Sequence, residues 1–254
     1  MQRIIALSRT YTDDFTKIPE LIKTNRKLVE QLRDKVEHVR FVVWENSLFS
    51  DADCGKTYTS LKATFKDDPF VSVRKGGGDI FVGVLNSQFA EIVDEGYDWL
   101  LVISATSGHL ITEKVAQCVD VAMNEHGVDA VAIVPPDVPS AGKGAITNQC
   151  AYWRVSLIKD GFDPIDTRPV VFDYTEHYQG VGELVNLFRS LLRQPLAVIF
   201  PDVDRPDDRT VLADPKQIEK LAHKNRRIAV VLEKIGKTAT DLSCLIMEGY
   251  PIKA

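Results

Sequence analysis

The sequence has few features of a metal protein, a membrane protein or a nucleic-acid-binding protein. Its four cysteines are widely separated, with no C-x-x-C pair and no histidine cluster. We therefore expect no zinc site, and we expect the cysteines to be free thiols in a cytoplasmic protein. Its longest apolar runs, such as 99–104 and 196–200, are too short to span a bilayer. The net charge of −5 indicates no basic face for nucleic acid. We therefore expect a cytoplasmic protein with no transmembrane segment and no nucleic-acid partner; the oligomeric state stays open.

The glycine-rich motifs that hold phosphates in common nucleotide-binding folds are also absent. No G-x-G-x-x-G follows the first apolar run, and the chain contains no G-x-x-x-x-G-K-[ST]. Rossmann-type dinucleotide binding and P-loop chemistry are therefore not supported. Three consecutive glycines at 76–78 precede a helical pattern, where free backbone amides can approach a phosphate or a base closely. A flexible turn explains this feature equally well.

The sequence does contain a regular alternation of short apolar runs and amphipathic segments. Buried strands are predicted at 4–7, 39–44, 70–73, 99–104, 130–134 and 196–200. Segments of helical period lie between several of these runs, for example at 112–126. This order predicts an α/β fold with a mostly parallel sheet and helices on both faces. Residues 1–200 are predicted to form this domain, and 201–254 an acidic linker and a helical C-terminal appendage.

Polar residues follow the predicted strands at the points where ligands bind in such sheets. Open parallel sheets bind ligands beyond the carboxyl ends of their strands, because loops and helix amino termini converge there. The residues at these ends are Ser8, Arg9, Thr10, Glu45, Asn46, Ser104 and Thr106, together with Gly76, Gly77 and Gly78. We expect them to form a nucleotide-binding edge.

The order of these segments resembles family 2 glycosyltransferases and their relatives of the GT-A fold. In that family the second strand ends in an acidic residue followed by a small polar pair, as in Glu45-Asn46-Ser47. A glycine-rich loop and a helix with an internal asparagine come next, as at 76–86. An asparagine-containing segment and a Gly-Phe-Asp turn follow, similar to 147–154 and 161–163. Each motif is weak, and their common order carries the resemblance.

The resemblance implies a role for each of these positions. Glu45 would accept a hydrogen bond from the base or ribose of a nucleotide, with residues 8–10 beside the base and residues 76–78 closing over it. Asn148 and Asp163 would lie on the acceptor side, in the region that also contains Lys143 and Arg154. The implied partners are a nucleotide-sugar donor, such as a UDP-sugar, and a glycan or other hydroxyl acceptor.

Two departures from the family pattern concern its acidic residues. Ser104-Ala105-Thr106 stands where the family has the Asp-X-Asp that holds a divalent cation, and hydroxyls are poor ligands for such a cation because they carry no charge. We therefore expect no tightly bound metal, with Mn²⁺ or Mg²⁺ only together with nucleotide. His109 is a possible substitute ligand or diphosphate contact, although a lone histidine is more often structural.

The second departure lies at the family's catalytic Glu-Asp motif. Glu183 is retained in the similar segment 183–187, and leucine replaces the usual base. Glu183 is the candidate catalytic base; a helix-terminal carboxylate is an equal alternative. Three functions stay open at this point: a glycosyltransferase, a catalytically inactive GT-A domain that binds a nucleotide-sugar, glycan or protein, and a nucleotidyltransferase. The last is disfavoured because no G-x-G-[ST]-x-x-R loop follows the first strand.

Overall fold

The computed structural model describes residues 2–10, 12, 14–44, 55–76, 88–89, 91–133, 150–156, 196–201 and 244–248. These residues contain eight strands and three α-helices longer than two turns. The strands are β1 Ile4–Thr10, β2 His38–Trp44, β3 Val71–Gly76, β4 Trp99–Ile103, β5 Ala130–Ile133, β6 Cys150–Arg154, β7 Leu196–Phe200 and β8 Cys244–Glu248. The helices are α1 Ile18–Leu32, α2 Lys56–Thr64 and α3 Glu113–Glu125.

All eight strands belong to one mixed sheet. Their order across the sheet is β3-β2-β1-β4-β6-β5-β7-β8. Every neighbouring pair is parallel except the two pairs that involve β6, which runs antiparallel between β4 and β5. The parallel strands β1, β2, β3 and β4 therefore end at the same edge of the sheet, which is where this topology places a ligand.

One face of the sheet is covered by α1, α2 and α3. On α1 the apolar residues Leu28, Val29 and Leu32 are buried, and they join a single core cluster with alternate strand residues such as Phe41 and Leu101. Alternation along a strand sends the neighbouring residues to the opposite face. The three helices therefore share one hydrophobic layer, and this layer holds α1 across the end of β1.

The opposite face is contacted by the helical residues 91–94. Arg40 of β2 points to this face, since it precedes the oppositely oriented Phe41, and only 4% of its side chain is exposed. Its Nη2 donates to both carboxylate oxygens of Glu95, at 2.7 and 2.8 Å, and Nη1 lies 3.6 Å from Glu91. A buried guanidinium thus fixes this helical segment to the sheet.

The predicted fold class is confirmed, and three local expectations are corrected. Strand β3 extends to Gly76, so this glycine ends a strand instead of belonging to the loop that precedes a helix. No strand is predicted between 134 and 196, yet Cys150–Arg154 forms β6. Within the predicted helical appendage, Cys244–Glu248 forms β8 beside β7. The division of the chain near residue 200 stays a prediction.

The described part of the chain contains no helix that is both long enough and apolar enough to cross a membrane.

Two cysteines lie in the core, and their reactivity provides a test of the packing. Burial raises the pKa of the Cys150 thiol far above its ordinary value, and burial raises that of Cys118 to a lesser extent. Because the thiolate is the reactive form, both should be inert in the folded protein. In the Cys54→Ser/Cys244→Ser variant, a thiol-specific chromogenic reagent should react with neither remaining cysteine until denaturant is added. Rapid reaction of Cys150 in the native protein would contradict this packing.

Candidate functional site

A cavity of about 490 Å³ opens at the carboxyl ends of β1 and β4. The strands are paired in parallel register from Ile4 with Trp99 to Leu7 with Val102, so the residues that follow them are brought side by side. The third wall comes from the segment that leads into α1 and from the first turns of that helix. The lining residues are Arg9, Thr10, Thr12, Lys17, Glu20, Leu21, Thr24, Asn25, Ser104, Ala105 and Thr106.

The wall that α1 supplies is set by local capping. Asp14 begins a 3₁₀ turn at Phe15–Lys17, and its carboxylate accepts from the Thr16 backbone N–H at 3.1 Å and the Thr16 hydroxyl at 2.6 Å. These hydrogen bonds lower the pKa of the Asp14 carboxyl. Lys17 is the N-cap of α1, so the positive end of the helix dipole lies at the cavity.

Asn25 is a fully buried polar residue in the cavity wall. Its Nδ2 donates to the Leu21 carbonyl at 3.0 Å and to the Thr10 hydroxyl at 3.2 Å. These bonds fix the orientation of the amide, because a backbone carbonyl can only accept. Oδ1 is enclosed and has no hydrogen-bond partner among the described residues. A buried acceptor without a partner is costly, so an O–H or N–H group of a ligand that reaches this atom would satisfy it.

The loop after β4 presents two hydroxyls in place of carboxylates. Ser104 Oγ and Thr106 Oγ1 lie 3.1 Å apart. His109 Nδ1 is 2.9 Å from the Thr106 carbonyl oxygen, which places a proton on Nδ1 and leaves Nε2 as an acceptor in the neutral ring. Nε2 is buried and has no hydrogen-bond partner in the part of the chain that the structure describes. His109 thus braces the backbone of this loop.

The residues at this position do not fit a divalent cation. Hard dications are held by charged carboxylates, carbonyls and water, and Glu20 is the one carboxylate among the described residues that line the cavity. No group of three or more histidine, cysteine, aspartate or glutamate side chains converges within the described residues. Hydroxyls instead suit a phosphate or a sugar, to which they can donate.

The structure brings together four of the residues predicted for nucleotide binding: Arg9, Thr10, Ser104 and Thr106 all line the cavity. Ser8 does not, because its side chain is fully buried in the interior of the sheet layer. Gly76 lies on β3, two strands from β1. The other predicted positions lie outside the described residues: Glu45, Asn46, Gly77, Gly78, Lys143, Asn148, Asp163 and Glu183.

Arg154 corrects the sequence interpretation. The sequence predicts Arg154 on the acceptor side. In the structure it pairs in register with Trp99 at the amino end of β4, which is the opposite edge of the sheet. The antiparallel direction of β6 is the reason. There its guanidinium donates to Asp129 at 3.2 Å and to the Val128 carbonyl at 2.8 Å, so it has a structural role.

That opposite edge also holds a larger cavity, of about 950 Å³. The three cations in its lining are already engaged. Arg3 forms an ion pair with Glu37 at 2.7 Å, Lys35 Nζ donates to the Gln31 carbonyl at 2.8 Å, and Arg154 is bonded as above. Its volume exceeds that of the first cavity, but its position at the amino ends of parallel strands is the wrong one for a ligand in this topology.

Sequence reasoning missed the contribution of α1 to the site. Lys17, Glu20 and Thr24 recur at helical spacing on one side of α1, a pattern that a solvent-facing stripe also produces. Asn25 carried a better signal, since it lies on the same side as the apolar Leu21, Leu28 and Val29 of this helix. A polar residue within an apolar stripe indicates a buried polar contact.

No protein-family model and no curated protein sequence matches the chain. Solved structures do match its fold. Glucosyl-3-phosphoglycerate synthase from Mycobacterium tuberculosis, in complex with Mn²⁺, UDP and phosphoglyceric acid, aligns over 93% of this chain and 80% of its own, with 14% identity and a TM-score of 0.53. A mannosyltransferase from Pyrobaculum calidifontis, in complex with GDP-Man and Mn²⁺, aligns over 92% and 75%, with 13% identity and a TM-score of 0.50.

A third solved structure of similar fold is a synthase. The 4-diphosphocytidyl-2C-methyl-D-erythritol synthase from Anaerococcus prevotii aligns over 84% of this chain and 94% of its own, with 8% identity and a TM-score of 0.53. At such low identities the likeness concerns the fold alone. Together with the strand order and the antiparallel β6, it confirms the predicted architecture: this chain has an α/β fold of the GT-A type.

Proposed function

We propose that the protein binds a nucleoside-diphosphate sugar at the carboxyl edge of β1 and β4 and transfers its sugar to a hydroxyl acceptor. One observation carries the proposal: Arg9, Lys17, Ser104 and Thr106 line a single cavity at this edge. Cations and hydroxyl donors suit a diphosphate, and the buried acceptor of Asn25 suits a ligand hydroxyl or N–H. Structures of similar fold hold GDP-mannose or UDP, which supports the choice of ligand.

The transfer is a displacement at the anomeric carbon of the donor sugar. The acceptor oxygen forms a bond to this carbon while the bond to the phosphate oxygen breaks and the nucleoside diphosphate leaves. The cations at the cavity stabilise the negative charge that develops on the leaving group. Glu183 is our proposed base for the acceptor proton, with Asn148 and Asp163 on the acceptor side. We further propose that residues 1–200 form the catalytic unit and that it works in the cytoplasm.

A nucleotide-sugar-binding module without catalysis is the second candidate, and the hydroxyls of Ser104 and Thr106 favour it because they replace charged ligands. The two candidates differ in turnover. Incubation of the protein with UDP-glucose or GDP-mannose, followed by measurement of released nucleoside diphosphate, separates them. Release above that of a Glu183→Gln variant supports a transferase, whereas tight binding with no release in the presence of diverse acceptors supports the module.

Binding is tested by calorimetric titration with UDP, GDP and CDP and with their sugars. We expect one of them to bind well below millimolar concentration. Glu45→Ala should weaken this binding by about 1–3 kcal/mol, the usual scale for a hydrogen bond to a charged group. The exposed Glu30 of α1 provides the control, and Glu30→Ala should leave affinity unchanged. If no nucleotide binds, the proposal fails. If a nucleotide binds and Glu45→Ala does not change its affinity, the nucleobase and ribose bind away from Glu45.

A further inference from the structure

We infer that Lys17 and Arg9 take the place of a divalent cation, so that the diphosphate of the donor binds without metal. This inference rests on the proposed function and concerns the charge of the same cavity. The inference starts from a difference in metal ligands between this chain and proteins of similar fold. Similar structures are complexes with Mn²⁺, whereas the loop after β4 here offers only the hydroxyls of Ser104 and Thr106, 3.1 Å apart.

A diphosphate carries several negative charges that something in the site must balance. Among the described residues that line the cavity, Arg9 and Lys17 are cations and Glu20 is the single anion. Among these described lining residues the cations outnumber the anions by two to one. The loop hydroxyls add neutral donors, which phosphate oxygens accept. These cations and hydroxyls therefore suit a diphosphate without a bound metal better than they suit a metal ion.

Lys17 is placed to move onto such an anion. It is the N-cap of α1, where the helix dipole adds positive potential. About 65% of its side chain is exposed, and its one described ion pair joins Nζ to an Asp14 oxygen at 3.6 Å. An exposed pair of this length contributes little. The ammonium group can therefore exchange this partner for a phosphate at small cost.

Asn25 gives an independent indication that the cavity receives a ligand. It is fully buried, it lines the same cavity as Lys17, and its Oδ1 has no hydrogen-bond partner among the described residues. A carbonyl oxygen repels an anion and attracts a hydroxyl, so this atom suits the ribose or the sugar and not the phosphates. The cations of Arg9 and Lys17 suit the diphosphate, so the lining offers groups for both parts of one nucleotide-sugar.

The test compares binding of UDP and inorganic pyrophosphate to the full chain with EDTA or with Mn²⁺. We expect both probes to bind in EDTA, and we expect Mn²⁺ to strengthen the binding of neither. Lys17→Gln should raise both dissociation constants by about five- to tenfold, a typical loss for a charge-assisted hydrogen bond to a flexible side chain. Lys17→Arg should retain affinity. Lys23→Gln, an exposed lysine of the same helix outside the cavity lining, should have no effect.

The outcomes separate the inference from the function. Binding of UDP only with Mn²⁺, or equal effects of Lys17→Gln and Lys23→Gln, overturns the inference and leaves the proposed function intact. Failure of UDP and of every UDP-sugar to bind under either condition overturns both.

A gain of metal dependence provides the converse test. The variant Ser104→Asp/Thr106→Asp places two carboxylates at the loop after β4, where an oxygen-preferring dication can bind. We expect Mn²⁺ to lower the dissociation constant of UDP at least about tenfold in this variant and not in the parent protein. Circular dichroism and thermal melting establish that the variant is folded. A folded variant without any Mn²⁺ effect contradicts the placement of the diphosphate beside these residues.

Discussion

Replacement of Trp99 by alanine is expected to lower the free energy of unfolding by about 3–5 kcal/mol, the usual cost of removing a large buried aromatic side chain. Trp99 is fully buried at the start of β4 and belongs to the main core cluster. The Arg154 guanidinium lies over its ring, 4.8 Å from the centroid. The substitution therefore leaves a cavity and also removes a cation–π contact. Urea denaturation followed by circular dichroism measures the effect.

A matched substitution separates the packing of the ring from its polar atom. Trp99 Nε1 is buried and has no hydrogen-bond partner among the described residues, so Trp99→Phe loses no described hydrogen bond and should cost less than about 2 kcal/mol. A phenylalanine variant as unstable as the alanine variant would contradict the absence of a polar contact. Glu125→Ala, at an exposed position on α3, is the control and should change stability by less than about 0.5 kcal/mol.

Replacement of Glu95 by glutamine is expected to lower the free energy of unfolding by about 2–4 kcal/mol. Arg40 is buried in the face of the sheet, and Glu95 accepts two hydrogen bonds from it. Loss of the carboxylate charge leaves a desolvated guanidinium whose other described ion pair, with Glu91, is longer at 3.6 Å, and a poorly compensated buried charge is strongly destabilising. The expected loss lies toward the lower end of the range for buried pairs because Glu95 is one-third exposed.

The double variant Arg40→Met/Glu95→Gln tests the cause of this loss. Removal of the charge together with its partner should recover most of the stability, because an apolar side chain of similar length needs no counter-ion. The exposed pair Lys66 and Asp67, 3.8 Å apart, is the comparison, and Lys66→Ala should cost less than about 0.5 kcal/mol. A double variant no more stable than Glu95→Gln would show that packing of the arginine stem, and not its charge, holds residues 91–94 to the sheet.

Local pattern predicted the strands that are buried on both faces. The runs at β1, β4 and β5 are continuous and apolar, the run at β2 is interrupted by Arg40, and each of these predicted strands overlaps the observed one. Such runs are typical of parallel sheets covered by helices. Strand β6 was missed because Cys150–Arg154 is short and follows a segment typical of loops. Its antiparallel direction follows from pairing with β4 and β5, which are distant in sequence, and no local pattern encodes such a pairing.

The candidate site shows the same division. The sequence predicted that Arg9, Thr10, Ser104 and Thr106 lie together, since parallel strands end at one edge. It also showed directly that hydroxyls replace the carboxylates of the resembling family. Arg154 could not be placed, because reversal of β6 carries it to the other edge of the sheet. Lys17 and Asn25 line the site because α1 packs across the end of β1, and the sequence did not predict this packing. The sequence alone thus determined the fold class, the binding edge and its missing carboxylates, which depend on local periodicity and residue type. The tertiary structure decided which helix forms the wall and which charges it supplies, because those depend on packing between segments far apart in the chain.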